Sequence, residues 1–168
     1  WHLLTKEAIP IMRKQGFGRI IQNSSVLGFA ALRYRGAYNA TKFALEGLTD
    51  TLRLELYDTG IKVILIEPGP IRTKIRENSY PHFKKSIKWK DSPNGSIYEK
   101  YLIPRLEQVD PPMDRFELMP SAVSKAVIHA CTSKNPHNRY RVTLATKIIM
   151  ILKRLLTSKA FDSIARKI

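Results

Sequence analysis

Residues 19–56 read RIIQNSSVLGFAALRYRGAYNATKFALEGLTDTLRLEL, and three of them, Ser25, Tyr38 and Lys42, organise the reading of the rest. Tyr38 and Lys42 stand four apart at the head of a run in which Leu45, Leu48, Leu52 and Leu56 recur at helical spacing. The spacing predicts a helix with both polar groups on one face, a turn apart. An ammonium ion then sits beside a phenol. A free phenol loses its proton at about pH 10, too high for acid–base work near neutrality, but a close positive charge favours the phenolate. Tyr38 is therefore a candidate proton donor. Ser25 follows the apolar pair Ile20-Ile21 and precedes Gly28, which predicts a buried strand opening into a loop. Open α/β sheets place their chemistry at the carboxyl ends of strands, where Ser25 would lie.

Together these residues resemble the signature of the classical short-chain dehydrogenase/reductase family. A bare Tyr-x-x-x-Lys is common by chance, but here YNATK is preceded by GRIIQNSS and followed by KFALEGLTDTLRLEL. A second apolar strand, Ile61 to Ile66, then runs into Glu67-Pro68-Gly69-Pro70-Ile71-Arg72-Thr73, where the family carries a PG-x-[IV]-x-T element. The resemblance covers residues 1 to about 75 closely and about 120 to 144 loosely. It implies an α/β fold, a Rossmann-like doubly wound parallel sheet, and hydride transfer between the nicotinamide of NAD(P) and the carbon of an alcohol or carbonyl. By the same resemblance Tyr38 exchanges the proton on the substrate oxygen and Ser25 hydrogen-bonds that oxygen. Lys42 would favour the phenolate and bind the nicotinamide ribose hydroxyls. Pro68, Gly69, Ile71 and Thr73 would lie at the cofactor, with the Gly69 and Ile71 backbone and the Thr73 hydroxyl meeting the carboxamide.

The sheet of that family needs more strands than the sequence offers. Arg19 to Asn23, Lys62 to Glu67 and a shorter Arg139 to Leu144 read as strands, and no G-x-G-x-x-G turn accompanies them. The resemblance puts the glycine-rich loop, the reader of the adenosine ribose and an active-site Asn upstream of the matched region, and Asn23 is not that Asn. The expectation is an incomplete Rossmann-like sheet lacking its amino-terminal strands. Residues 1–144 then form the carboxyl-terminal part of the domain, with a substrate-loop insertion at about 74–115, and 145–168 form a basic amphipathic helix. At the other end WHLLTKEAIPIMRKQ sets Leu4, Ala8, Ile11 and Met12 on one helical face. No capping box opens it, Pro10 predicts a kink or a shorter helix, and Gly16 and Gly18 end it.

With 168 residues, 43% of them hydrophobic, the chain is long enough for one domain with a core. Cys131 is the only cysteine, which excludes an intramolecular disulfide and a cysteine-rich metal site and fits a reducing, cytoplasmic setting. His2, His82 and His137 show no metal-ligand spacing, so no metal is expected. His129 lies in a helix from Pro120 to Cys131 whose Val123, Val127 and Ala130 face inward, and no partner for it can be named. Nothing resembles a secretory signal, and no apolar run approaches the roughly 18 residues of a membrane span. From Lys74 to Asp114, Lys84, Lys85, Lys88 and Lys90 are set among Phe83 and Trp89, with five prolines against any long helix. This reads as a solvated flap over a pocket. Its Ile87, Trp89, Tyr98, Tyr101, Leu102 and Ile103 suit a lipophilic substrate and ordinary packing equally.

The net charge is +15, and from Lys134 onward nine Lys or Arg stand against one acid, Asp162. Two readings of the tail remain side by side. A short basic apolar helix lies in a membrane interface beside anionic lipid, and it also packs on its own domain or on a second subunit of a homo-oligomer. Nucleic acid is not expected, since no reading motif accompanies the charge. Two functions follow. The first is an NAD(P)-dependent oxidoreductase of a lipophilic alcohol or carbonyl, leaning to NADP on the excess of positive charge. The second is a non-catalytic remnant acting as an interaction or membrane-surface protein.

Overall fold

The computed structural model describes residues 1–108 and 111–166. In chain order the main elements are α1 (His2–Gln15), β1 (Gly18–Asn23), α2 (Gly36–Glu55), β2 (Ile61–Glu67) and α3 (Ile75–Ser86). There follow α4 (Gly95–Ile97), α5 (Ile103–Glu107), α6 (Pro120–Thr132), β3 (Arg139–Arg141), α7 (Leu144–Leu155) and α8 (Ser158–Ala165). The three strands are parallel in the order β1-β2-β3, with Gly18 opposite Ile61, Asn23 opposite Ile66 and Glu67 opposite Arg141.

β2 is a near-continuous apolar run because it is covered on both faces, and every residue in it except Lys62 is buried. On one side Ile20, Ile61 and Val63 meet Ile9 and Met12 of α1, Leu52 of α2 and Leu56 just beyond it. On the other, Ile21, Ile64 and Ile66 meet Val123, Ala126, Val127 and Ala130 of α6. Helices on both faces of a parallel sheet make this the Rossmann-like, doubly wound arrangement that the sequence predicts, here with three strands among the described residues.

Five local expectations are corrected. The inward face of α1 is Thr5, Ile9 and Met12, while Leu4 is 75% and Ile11 59% exposed. Gln22 Nε2 donates to Thr5 Oγ1 at 3.0 Å, and that buried bond sets the rotation of the helix over β1. Pro10 does not shorten α1, which runs unbroken to Gln15 with the proline on its exposed side. Gly16, at φ 75, ends the helix, whereas Gly18 opens β1.

The third strand stops at Arg141 instead of Leu144, because Thr143 caps α7, its Oγ1 accepting from Thr146 N at 3.2 Å. For the same reason the tail is two helices and not one: Thr157 Oγ1 accepts from Ala160 N at 3.4 Å and starts α8. Residues 167 and 168 of the expected tail helix lie outside the described residues. No helix among the described residues is long and apolar enough to cross a membrane.

Candidate active site

Ser25 stands two residues past the end of β1. It caps a single turn, Val26–Gly28, by accepting the Leu27 N–H on Oγ at 3.1 Å, so its own hydroxyl proton remains to be donated. Lys42 reaches from α2 to the same strand end, donating from Nζ to Asn23 O at 2.8 Å. That leaves two ammonium protons for other acceptors. The ammonium lies 5.7 Å from the centroid of the Tyr38 ring, one turn earlier in α2, and the ring is 40% exposed. Burial holds the Lys42 ammonium below its ordinary value, and the carboxylate of Glu46, one turn further on, acts in the opposite sense. Ser25, Tyr38 and Lys42 thus belong to the end of β1 and the first turns of the helix tied to it.

The Pro68–Thr73 loop adjoins this group, since Val26 N donates to Pro68 O at 2.8 Å. Gly69 has no room for a side chain: a Cβ would fall 2.2 Å from Thr143 Oγ1 and 2.5 Å from Thr146 Oγ1. Ile71 forms a parallel bridge with Leu118, made by Arg72 N to Leu118 O at 2.9 Å and Leu118 N to Pro70 O at 3.1 Å. Backbone groups alternate in direction along an extended chain, so the N–H of Ile71 itself points away from Leu118. The Thr73 hydroxyl accepts from Ile75 N at 3.4 Å and keeps its proton. Thr73 also lines an open cavity of about 550 Å³ with Lys74, Ile75, Asn78, Ser79 and His82, a space that Ser25, Tyr38 and Lys42 do not line.

Three features escape sequence reasoning. Arg139 in β3 joins Glu67 of β2 to Glu46 and Asp50 of α2. Glu46 sits at helical spacing from Tyr38 and Lys42 and was findable; its partners, far away in the chain, were not. His129 does have a partner: its Nδ1 lies 2.8 Å from Tyr140 Oη, and its ring stacks at 5.7 Å on His137. Gly28 admits no side chain because the Glu46 and Ser24 side chains occupy the place of its Cβ. In the segment read as a solvated flap, α3 and α5 hold no buried residue, and Tyr98, in the π turn between α4 and α5, meets Tyr34 outside the segment edge-on at 5.5 Å and Phe83 within it at 6.2 Å.

A parallel sheet with helices on both faces, and with a serine, a tyrosine and a lysine near one strand's carboxyl end, defines an α/β domain of the Rossmann-like kind. The chain belongs to the short chain dehydrogenase family, whose model matches residues 2–83. It is 42% identical, over 97% of its length and 54% of the relative's, to the uncharacterized oxidoreductase YbbO of Escherichia coli K12. It is 30% identical to the rat 17-beta-hydroxysteroid dehydrogenase type 6, over 89% of the chain and 48% of that protein. Among solved structures, the closed form of a serine dehydrogenase complexed with NADP+ superposes with a TM-score of 0.56 at 26% identity, covering 84% of this chain and 50% of that one. The TT0495 protein of Thermus thermophilus superposes at 0.59 and 27%, covering 88% and 56%. The chain spans about half the length of the curated relatives it matches.

Proposed function

We propose that the protein carrying this chain interconverts an alcohol and a carbonyl compound with NAD(P) as the hydride partner. One observation carries the reading: Lys42 Nζ, bonded to the last carbonyl of β1, stands one turn from Tyr38 and beside the loop that Ser25 opens. The nicotinamide, when bound, supplies or takes the hydride. Tyr38 Oη gives its proton to the substrate oxygen in reduction and takes it back in oxidation. The Ser25 hydroxyl donates to that oxygen where charge develops on it. Lys42 turns its free ammonium protons to the nicotinamide ribose hydroxyls.

The residues present fit the nicotinamide end of the cofactor. The Ile71 N–H is directed away from its bridge, and the Thr73 proton is uncommitted. NADP is favoured over NAD by the chain's excess of positive charge and by similar structures described with NADP, the serine dehydrogenase among them. A lipophilic substrate body suits the Tyr34, Phe83 and Tyr98 rings.

The test is NADPH-dependent reduction of a panel of aldehydes and ketones by the whole protein, beside its Tyr38→Phe variant. Turnover that the variant loses supports the reading, and equal turnover by both removes Tyr38 from it. Neither turnover nor NADPH binding by the wild type leaves the non-catalytic interaction protein.

A further inference from the structure

Three guanidinium groups stand near the candidate site, and two of them meet the carboxylate of Asp114. Arg35 immediately precedes α2 and lies one turn from Tyr38. Arg76 of α3 and Arg105 of α5 approach the same oxygen of Asp114, Nη2 to Oδ2 at 3.4 Å and 3.9 Å. Neither distance is that of a tight bidentate pair, and Arg35 has no carboxylate partner among the described residues. The Arg35 guanidinium is held below its ordinary value by desolvation first, then by Arg105 and Arg76, while Tyr38 acts in the opposite sense. Arg105, Arg76 and Tyr38 therefore each lie within electrostatic reach of Arg35, and Arg76 and Arg105 meet at the Asp114 carboxylate.

Like charges gathered this way repel unless an anion joins them, and the planar arginine fork matches the oxygens of a carboxylate or a phosphate. Beside them stands an apolar surface: Tyr34, adjacent to Arg35 in the chain, meets Tyr98, which meets Phe83. We propose that the substrate carries an oxyanion, carboxylate or phosphate, at the end of its apolar skeleton away from the reacting oxygen, and that Arg35, Arg76 and Arg105 bind that group. The proposal rests on the oxidoreductase reading only for the identity of the reacting end.

The experiment uses the whole protein and three matched probes: 4-carboxybenzyl alcohol, its methyl ester and 4-(hydroxymethyl)phenyl phosphate. They are titrated calorimetrically in the presence of NADPH, where an alcohol has no hydride acceptor and binding alone is read. At least one anionic probe should bind about tenfold or more tightly than the ester, the size of one charge-assisted contact, and the preference should shrink in high salt. Whichever anion binds more tightly names the group. Arg76→Gln and Arg105→Gln should each weaken the anion about tenfold without changing the ester. Asp114→Asn, which removes the competing carboxylate, should tighten the anion, a gain that misfolding cannot imitate.

Equal binding of anions and ester, or a weaker or unchanged affinity in Asp114→Asn, overturns the proposal. Turnover of the matching aldehydes separates it from the reading beneath it. Selective anion binding without any turnover keeps the anion site and removes the oxidoreductase. Equal kcat/KM for 4-carboxybenzaldehyde and its methyl ester keeps the oxidoreductase and removes the anion site.

Discussion

Arg139 Nη1 lies 2.5 Å from Glu67 Oε1, and the carboxylate it meets is 0% exposed. The same nitrogen lies 2.5 Å from Glu46, and Nη2 meets both oxygens of Asp50 at 2.6 and 2.7 Å. One guanidinium therefore ties β3 to β2 and to the helix that carries Tyr38 and Lys42. Removing one partner of a buried pair strands the other, at a cost of about 3–5 kcal/mol. Arg139→Met should lower the unfolding free energy by about that amount. Asp50→Asn, at a side chain 42% exposed, should cost about 1 kcal/mol or less. Urea denaturation of the two variants checks the contrast.

The loss in Arg139→Met should also depend on pH. Burial, and then the charge of Glu46, push the Glu67 carboxyl above its ordinary 4.5, with Arg139 and Arg141 pulling it back. The folded state thus holds this proton more tightly than the unfolded one, and stability falls as pH rises from 4.5 through the folded value. Without Arg139 that interval widens. The deficit of the variant should be smallest at about pH 4 and grow toward neutrality, and a deficit constant across this range would remove charge as its cause.

Tyr38→Phe keeps the ring and deletes the transferable proton. Turnover should fall by about 10²- to 10⁴-fold, the usual range for a lost acid–base group, with the melting temperature unchanged. Lys42→Ala should lower turnover and raise the KM for NADPH, because the ammonium that donates to Asn23 O at the end of β1 is gone. Unchanged kinetics in a folded variant would remove Lys42 from the site.

Two glycine substitutions separate a packed site from an open one. Gly69→Ala drives a methyl group into the buried Thr143 and Thr146 hydroxyls and should cost about 1–3 kcal/mol together with affinity for NADPH. Gly47→Ala, on the exposed side of α2 with nothing within 4 Å of its Cβ, should stabilise by about 0.4–1 kcal/mol. Thermal melts and NADPH titrations of both variants read the difference.

Along α7, Leu144, Ile148, Ile151 and Leu155 form one exposed stripe, with Lys147 and Arg154 on its flank. We propose that this stripe meets an anionic lipid surface. The protein should sediment with vesicles containing phosphatidylserine and be released by salt, because charge attraction is screened. Sedimentation indifferent to lipid charge and to salt would assign the stripe to packing between protein surfaces.

Periodicity and short motifs made the centre of the molecule legible in advance. The leucines at Leu45 and Leu56 are buried as their spacing implies, and β2 is covered on both faces as its run of aliphatic residues implies. What stayed hidden depends on contacts between distant parts of the chain. Gln22 turning α1 by its bond to Thr5 and Arg139 gathering carboxylates from β2 and α2 leave no local pattern. The break in the tail was a different kind of miss, since Thr143 and Thr157 carry the N-cap chemistry that ends one element and starts the next. The Tyr38–Lys42 pair was legible because a single helix carries both residues, and the arginines around it were not, because three separate elements contribute Arg35, Arg76 and Arg105.

The bridge between Ile71 and Leu118 gives the segment it encloses an independence of its own. Both ends of that excursion are fastened at one point, where the chain leaves the Pro68–Thr73 loop and where it enters α6. Lengthening a closed loop costs only about 0.6 kcal/mol for each doubling, so residues inside the clasp can be inserted, deleted or exchanged without disturbing the register of the sheet. The clasp makes the enclosed stretch an interchangeable cassette, whose length and composition can drift while the three strands outside it keep their register.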